Sequence, residues 1–79
     1  MTADTTRDVE TSDIILASYL RCKGIALDGI QKDGNRGLFS FSNVPNDALA
    51  DYQLGRALVE PQAFNAQVKI LTTACRRII

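Results

Sequence analysis

The sequence predicts one small α+β domain with the element order helix, strand, strand, helix, helix. Its 79 residues favour a single domain. Three patterns predict the helices and strands. Helical periodicity follows Ser12, alternating segments lie on both sides of Asp33-Gly34-Asn35, and a long amphipathic segment follows Pro61. Because a two-stranded hairpin is marginal alone, we expect it to pack on the long C-terminal helix, and a homodimer would extend it with strands of a second copy.

Residues 1–11 are predicted to form a flexible N-terminal tail, because they are polar and lack periodicity. Residues 12–79 then form the domain. Thr11 or Ser12 is expected to cap the first helix, with Asp13 at its positive end and Gly24 as its left-handed terminating residue. At 100° per residue, one face holds Ile15, Leu16, Tyr19 and Leu20, and Ile14 falls outside it.

The stretch QKDGNRGLFSF, residues 31–41, raises the question of a phosphate-binding loop. Such a loop needs more glycines, a Lys followed by Ser or Thr, and a helix directly afterwards. Here Phe39 and Phe41 alternate with serines, as in a strand with one buried face. We therefore interpret Asp33-Gly34-Asn35 as a hairpin turn, with Gly29 as a bulge in the preceding strand.

The remaining segments predict two helices. The first lies between Asn46 and Gly55, with Ala48, Leu49 and Tyr52 on one side and Leu54 nearly opposite. The second begins at Pro61, which suits a first helical position. Its apolar side repeats at helical spacing through Phe64, Val68, Leu71, Cys75 and Ile78, and Ile70 and Ala74 widen it.

Charge and composition restrict the possible functions. Nine basic residues balance nine acidic ones, which argues against general electrostatic binding to nucleic acid or to an anionic membrane. No signal peptide is visible, and no apolar run approaches the roughly 20 residues of a membrane helix. We expect a cytoplasmic protein in which Cys22 and Cys75 are reduced and packed as small hydrophobic residues.

The chain contains no histidine, which removes the commonest general base and the commonest metal ligand. Asp47 and Asp51, four residues apart on one helix, could share a metal, but acids at a helix start more often interact with the helix dipole. The expectation is a protein that is not an enzyme and has no metal, cofactor or catalytic residue.

Apolar residues outside the predicted helix faces are candidates for a protein interface: Ile14, Leu54, Leu58 and Val59. Such residues either complete the core from another direction or form a partner-binding patch, and self-association is then the simplest use.

A nucleic-acid interface is the alternative. Lys69 and Arg76 lie on a polar stripe of the last helix, with Arg77 beside it, and Arg36 lies at the hairpin tip. These cations could contact a phosphate backbone. They equally suit a solvated face near a negative helix C-terminus.

The segments TSDIILASYLRCKG, KDGNR with FSF, and DYQLGRALVEPQAF resemble a family of small bacterial and phage-encoded domains of unknown function. The resemblance implies a phage, prophage or other mobile-element setting and supplies no catalytic residues. Gly37, at the head of the second strand, departs from the pattern, because a β-branched residue would suit a strand better.

Together these observations favour a non-enzymatic interaction module that binds itself or a host protein, as a homo-oligomer in the first case. A nucleic-acid-binding accessory protein and a small inhibitor of a host enzyme or defence complex are the alternatives.

Overall fold

The computed structural model describes residues 6–78 and shows an α+β domain with a three-stranded antiparallel sheet. The elements are β1 (Thr6–Thr11), α1 (Ile14–Cys22), β2 (Leu27–Asp33), β3 (Arg36–Pro45), α2 (Asn46–Gln53) and α3 (Pro61–Ile78). β3 is the central strand, between β1 and β2. The α+β class and the hairpin are confirmed, but the sheet has three strands rather than two and the described order begins with a strand.

The additional strand, β1, lies in the segment that was predicted to be a flexible tail. Val9 pairs with Phe41, and Thr11 pairs with Phe39. The tail prediction is therefore wrong for Thr6–Thr11, and its other residues, 1–5, lie outside the described part of the chain. β1 lacks a clear sequence signal because an edge strand needs only one buried face, and Val9 is its only aliphatic residue.

Asp13, rather than Thr11 or Ser12, caps α1. Its Oδ1 accepts a hydrogen bond from the Ile15 backbone N–H at 2.9 Å, and its own N–H donates to Thr11 Oγ1 at 3.0 Å. These bonds satisfy backbone donors that have no partner within a helix. Gly24, with φ of 83°, follows the end of the helix as predicted.

The packed side of α1 agrees with the predicted one at Leu16, Tyr19 and Leu20 but differs at its first turn. Ile14 packs against the core, whereas 46% of Ile15 is exposed. Residues 17–20 are all buried, because α1 packs against α3 and also contributes to the core beneath the sheet. A helix that is covered on two sides does not show one apolar arc, and this explains the reversed positions of Ile14 and Ile15.

β2 and β3 form the predicted hairpin. Asp33 pairs with Arg36 across a turn of Gly34 and Asn35, and Gly34 has the positive φ, 63°, that such turns favour. The register shifts between Leu27 and Gly29, as expected for a bulge at Gly29. The stretch that resembled a phosphate loop is therefore a hairpin turn.

The helices cover one face of the sheet. The buried hydrophobic residues come from α1, β3, α2 and α3: Ala17, Tyr19, Leu20, Phe39, Phe41, Val44, Ala48 and Leu71. Pro61 begins α3 as predicted, and Glu60 Oε2 and Oε1 accept hydrogen bonds from the N–H groups of Gln62 and Ala63 at 2.6 and 3.1 Å. Within residues 6–78, no helix has the length and apolar character required to cross a membrane.

Candidate interaction surfaces

The connection between α2 and α3 exposes two leucines, which we term the leucine surface: Leu54 is 65% exposed and Leu58 is 83% exposed. Val59 packs against the core, as does Ile14 on α1. Of the four residues predicted as interface candidates, the structure therefore places two at the surface and packs the other two against the interior.

The backbone of this connection is held where it leaves α2. The N–H groups of Leu54 and Arg56 donate to the carbonyls of Ala50 and Asp51 at 2.9 and 2.8 Å. The Arg56 guanidinium also lies 3.4 Å from the Asp51 carboxylate. Gly55, with φ of 74°, permits this turn after α2.

A second surface is the face of the sheet that the helices leave uncovered, which we term the open sheet face. It includes residues that alternate with the buried ones: Asp8, Glu10, Asp28, Gln31, Leu38, Ser40 and Ser42. Glu10 is paired with Ser40, and Gln31 with Leu38. Each strand thus presents apolar side chains to the helices and mainly polar side chains to solvent.

Three carboxylates give the open sheet face a negative charge. Asp8, Glu10 and Asp28 line one shallow depression together with Ser40 and Ser42. Ser42 donates a hydrogen bond to Asp28, and Ser40 donates a long one, 3.5 Å, to Glu10. Among the described residues, no group of acidic or cysteine side chains is arranged to hold a metal ion, and Asp51 is paired with Arg56.

A third surface is the outer face of α3, which we define as Lys69, Ile70, Thr73, Arg76 and Arg77. All five residues are exposed, and four of them line a shallow depression with Ala74. Ile70 was expected to widen the buried side of the helix, but 56% of it is exposed. The surface is therefore cationic with an apolar side chain among its charges.

The four nucleic-acid candidates do not lie on one face. Arg36 alternates with Leu38 and Ser40 on β3, and its guanidinium lies 3.4 Å from Ser12 Oγ. Lys69, Arg76 and Arg77 lie on α3, which packs on the opposite side of the sheet. The structure therefore groups the three α3 cations and separates Arg36 from them.

Two tyrosines join α1 to α2. The Tyr19 hydroxyl donates to the Ala48 carbonyl at 3.1 Å, and the Tyr52 hydroxyl donates to Asp13 Oδ2 at 3.2 Å. The ring centroids are 5.4 Å apart. Burial raises the pKa of both tyrosines above the ordinary value of 10.0; the charges of Asp51 and Asp47 raise that of Tyr19 further, and Asp13 raises that of Tyr52.

Both cysteines are free and partly buried. Cys75 packs against the core, where its Sγ occupies the space that a Cβ on Gly37 would need. This contact explains why the head of β3 has no β-branched residue. Cys75 is therefore packed as a small side chain, as expected, whereas Cys22 is only partly buried.

Sequence reasoning missed the open sheet face. Asp8 and Glu10 stand on either side of Val9, and this alternation is the signal of a strand with one acidic face. A single apolar residue was too little to distinguish that pattern from a polar tail. Asp28 joins the two acids of β1 only through the pairing of both edge strands with β3.

Comparison of the chain with protein-family models, curated proteins and solved structures found no match.

Proposed function

We propose that the protein is a non-enzymatic interaction module that binds a protein partner, either a host protein or a second copy of itself, through the leucine surface. The observation that carries this proposal is the 83% exposure of Leu58 beside neighbours that pack inward. Full burial of a leucine side chain is worth about 1.5–3 kcal/mol, so a partner that covers Leu58 gains most of that free energy.

The position of Leu58 is fixed by its neighbours. Ala57 and Val59 both pack against the core, so the side chain between them is directed outward. The backbone at Leu58 is therefore already ordered, which lowers the entropy cost of binding. Leu54 adds a second exposed apolar group four residues earlier in the chain.

The composition favours binding over catalysis. The absence of histidine leaves no imidazole for acid–base chemistry or metal ligation. We propose a cytoplasmic location, consistent with two free cysteines, and a phage or other mobile-element setting, which the sequence resemblance favours. A small inhibitor of a host enzyme or defence complex is an alternative that suits the same setting.

The first experiment compares the wild-type protein with Leu58→Asp by light scattering after size exclusion and by capture of proteins from host lysate. We expect L58D to keep its helical circular dichroism and to lose the wild-type partner, because a buried unpaired carboxylate is costly. Gln62→Asp is the matched control: it adds the same charge at a nearby exposed position and should bind as the wild type does. A folded L58D that retains every wild-type partner would contradict the proposal.

The same two proteins, the wild type and L58D, distinguish the nucleic-acid alternative from the protein-binding proposal. Binding through Lys69, Arg76 and Arg77 would appear as retention on DNA that falls steeply with salt and is unchanged in L58D. The separation of Arg36 from these cations makes a smaller phosphate-binding surface than the sequence predicted.

A further inference from the structure

The two broad faces of the molecule carry opposite charges. The open sheet face has Asp8, Glu10 and Asp28, which outnumber its cation Arg36, and α3 contains no acidic residue. Lys69 and Arg77, on the outer face of α3, form no ion pair with any described residue. The zero net charge of the chain therefore conceals an acidic surface and a basic surface on opposite sides of the domain.

Both surfaces also present an apolar side chain. Leu38 lies on the open sheet face and is half-buried, and Ile70 is exposed among the cations of α3. The helices pack on one side of the sheet, and the uncovered side is mainly acidic and polar, with Leu38 as an apolar side chain. An amphipathic helix with cationic flanks fits that face.

We propose that the outer face of α3 of one copy docks on the open sheet face of a second copy. The cations of α3 then meet the carboxylates of the sheet, and Ile70 and Leu38 supply the apolar part of the contact. Opposite charges on the two surfaces favour this orientation and oppose docking of two like faces. The contact uses neither Leu54 nor Leu58 and does not depend on the proposed function.

Pairing of strand edges is a less favourable way to self-associate. In an antiparallel pairing of two β1 strands centred on Val9, Asp8 of each copy would lie opposite Glu10 of the other, and like charges in that position are destabilising. The β2 edge carries the bulge at Gly29, a feature that discourages further pairing. Face-to-face stacking avoids both obstacles.

The two docking surfaces differ, so a stack of any length has a free open sheet face at one end and a free α3 face at the other. Such a head-to-tail contact produces rings or open stacks rather than a closed two-fold dimer. Since its charges are exposed, it is also sensitive to salt: the Debye length falls from about 30 Å at about 10 mM to about 3 Å at about 1 M.

The test measures sedimentation of the full chain up to millimolar concentration at those two salt concentrations. The wild-type mass should rise above 8.6 kDa with concentration at low salt and return toward it at high salt. The double variants Glu10→Gln/Asp28→Asn and Lys69→Gln/Arg77→Gln should each lose this rise, while L58D retains it. A wild-type protein that stays monomeric at low salt would overturn the proposal.

A mixture of the two double variants gives the sharper result. The first keeps a native α3 and the second keeps a native sheet face, so one native contact can form between them. We expect a dimer that contains one copy of each variant and does not grow further. If the mixed variants stay monomeric while the wild type associates, or if both variants associate as the wild type does, the stacking contact is wrong.

Discussion

Gly37 and Cys75 meet where the start of β3 packs on the last turns of α3. Gly37 does not have a positive φ, so its backbone does not require glycine. The restriction is one of space, because a Cβ would overlap Cys75 Sγ. The lack of a side chain at Gly37 thus leaves space for Cys75 where α3 approaches the sheet.

At this scale we predict that Gly37→Ala lowers the free energy of unfolding by about 1–3 kcal/mol, the usual cost of overpacking. Urea unfolding measures the change. Gly29→Ala is the control, because a Cβ there meets nothing within 4 Å and the φ of Gly29 is not positive. The cost of Gly37→Ala should fall in a Cys75→Ala background; an equal cost in both backgrounds would show that the sulfur is not the obstacle.

Among the elements, α1 and α2 are coupled through Asp13. One carboxylate oxygen caps α1 by accepting from the Ile15 N–H, and the other accepts from the Tyr52 hydroxyl of α2. A single side chain therefore both begins a helix and holds a second helix against it.

We predict that Asp13→Ala destabilises the protein by about 0.5–2 kcal/mol, the range for loss of a helix cap. Asp13→Asn should cost less, because the amide oxygen can still accept from the Ile15 N–H although the carboxylate partner of Tyr52 is lost. Thermal unfolding by circular dichroism compares the three proteins. Equal losses for the two variants would show that the contact with Tyr52, rather than the cap, supplies the stability.

For the whole molecule, the tyrosine pair predicts how stability changes at alkaline pH. Both pKa values lie above 10.0 in the folded protein, so the protonated hydroxyls are favoured by folding. This contribution is complete below the unfolded value of about 10 and is lost as pH rises through the raised values. Through the tyrosines, the free energy of unfolding should therefore not change with pH near neutrality and should decline above about pH 10.

Urea unfolding at a series of alkaline pH values checks this expectation, with tyrosinate absorbance to follow ionisation. Tyr52→Phe removes one of the two ionising groups and should decline less steeply with pH than the wild type. Identical slopes for the two proteins would assign the alkaline loss to other groups.

Local signals predicted the parts of this fold that depend on neighbouring residues. Gly24, Gly34 and the Glu60-Pro61 pair mark helix ends and a turn by backbone chemistry alone, and all three were interpreted correctly. The orientation of Ile14 and Ile15 depends instead on two packing partners of α1, which no local pattern contains.

The candidate surfaces show the same difference between features that depend on neighbouring residues and features that depend on the whole fold. Leu54 was recognised because it lies opposite the packed side of its own helix. The opposed positions of Arg36 and the α3 cations were not recognisable, because they depend on which face of β3 the helices cover. The charge of the open sheet face likewise required the pairing of β1 with β3.

The edge position of β1 has a consequence during synthesis of the chain. Its pairing partner begins at Arg36, 25 residues after β1 ends at Thr11, so the strand leaves the ribosome well before it can pair. An apolar strand would be prone to aggregate during that interval. β1 has Val9 as its one aliphatic residue, and Asp8 and Glu10 lie beside it. We expect such a strand to stay hydrated until β3 has been synthesised. We therefore expect the weak apolar pattern that hides this strand in the sequence to lower the tendency of the nascent chain to aggregate.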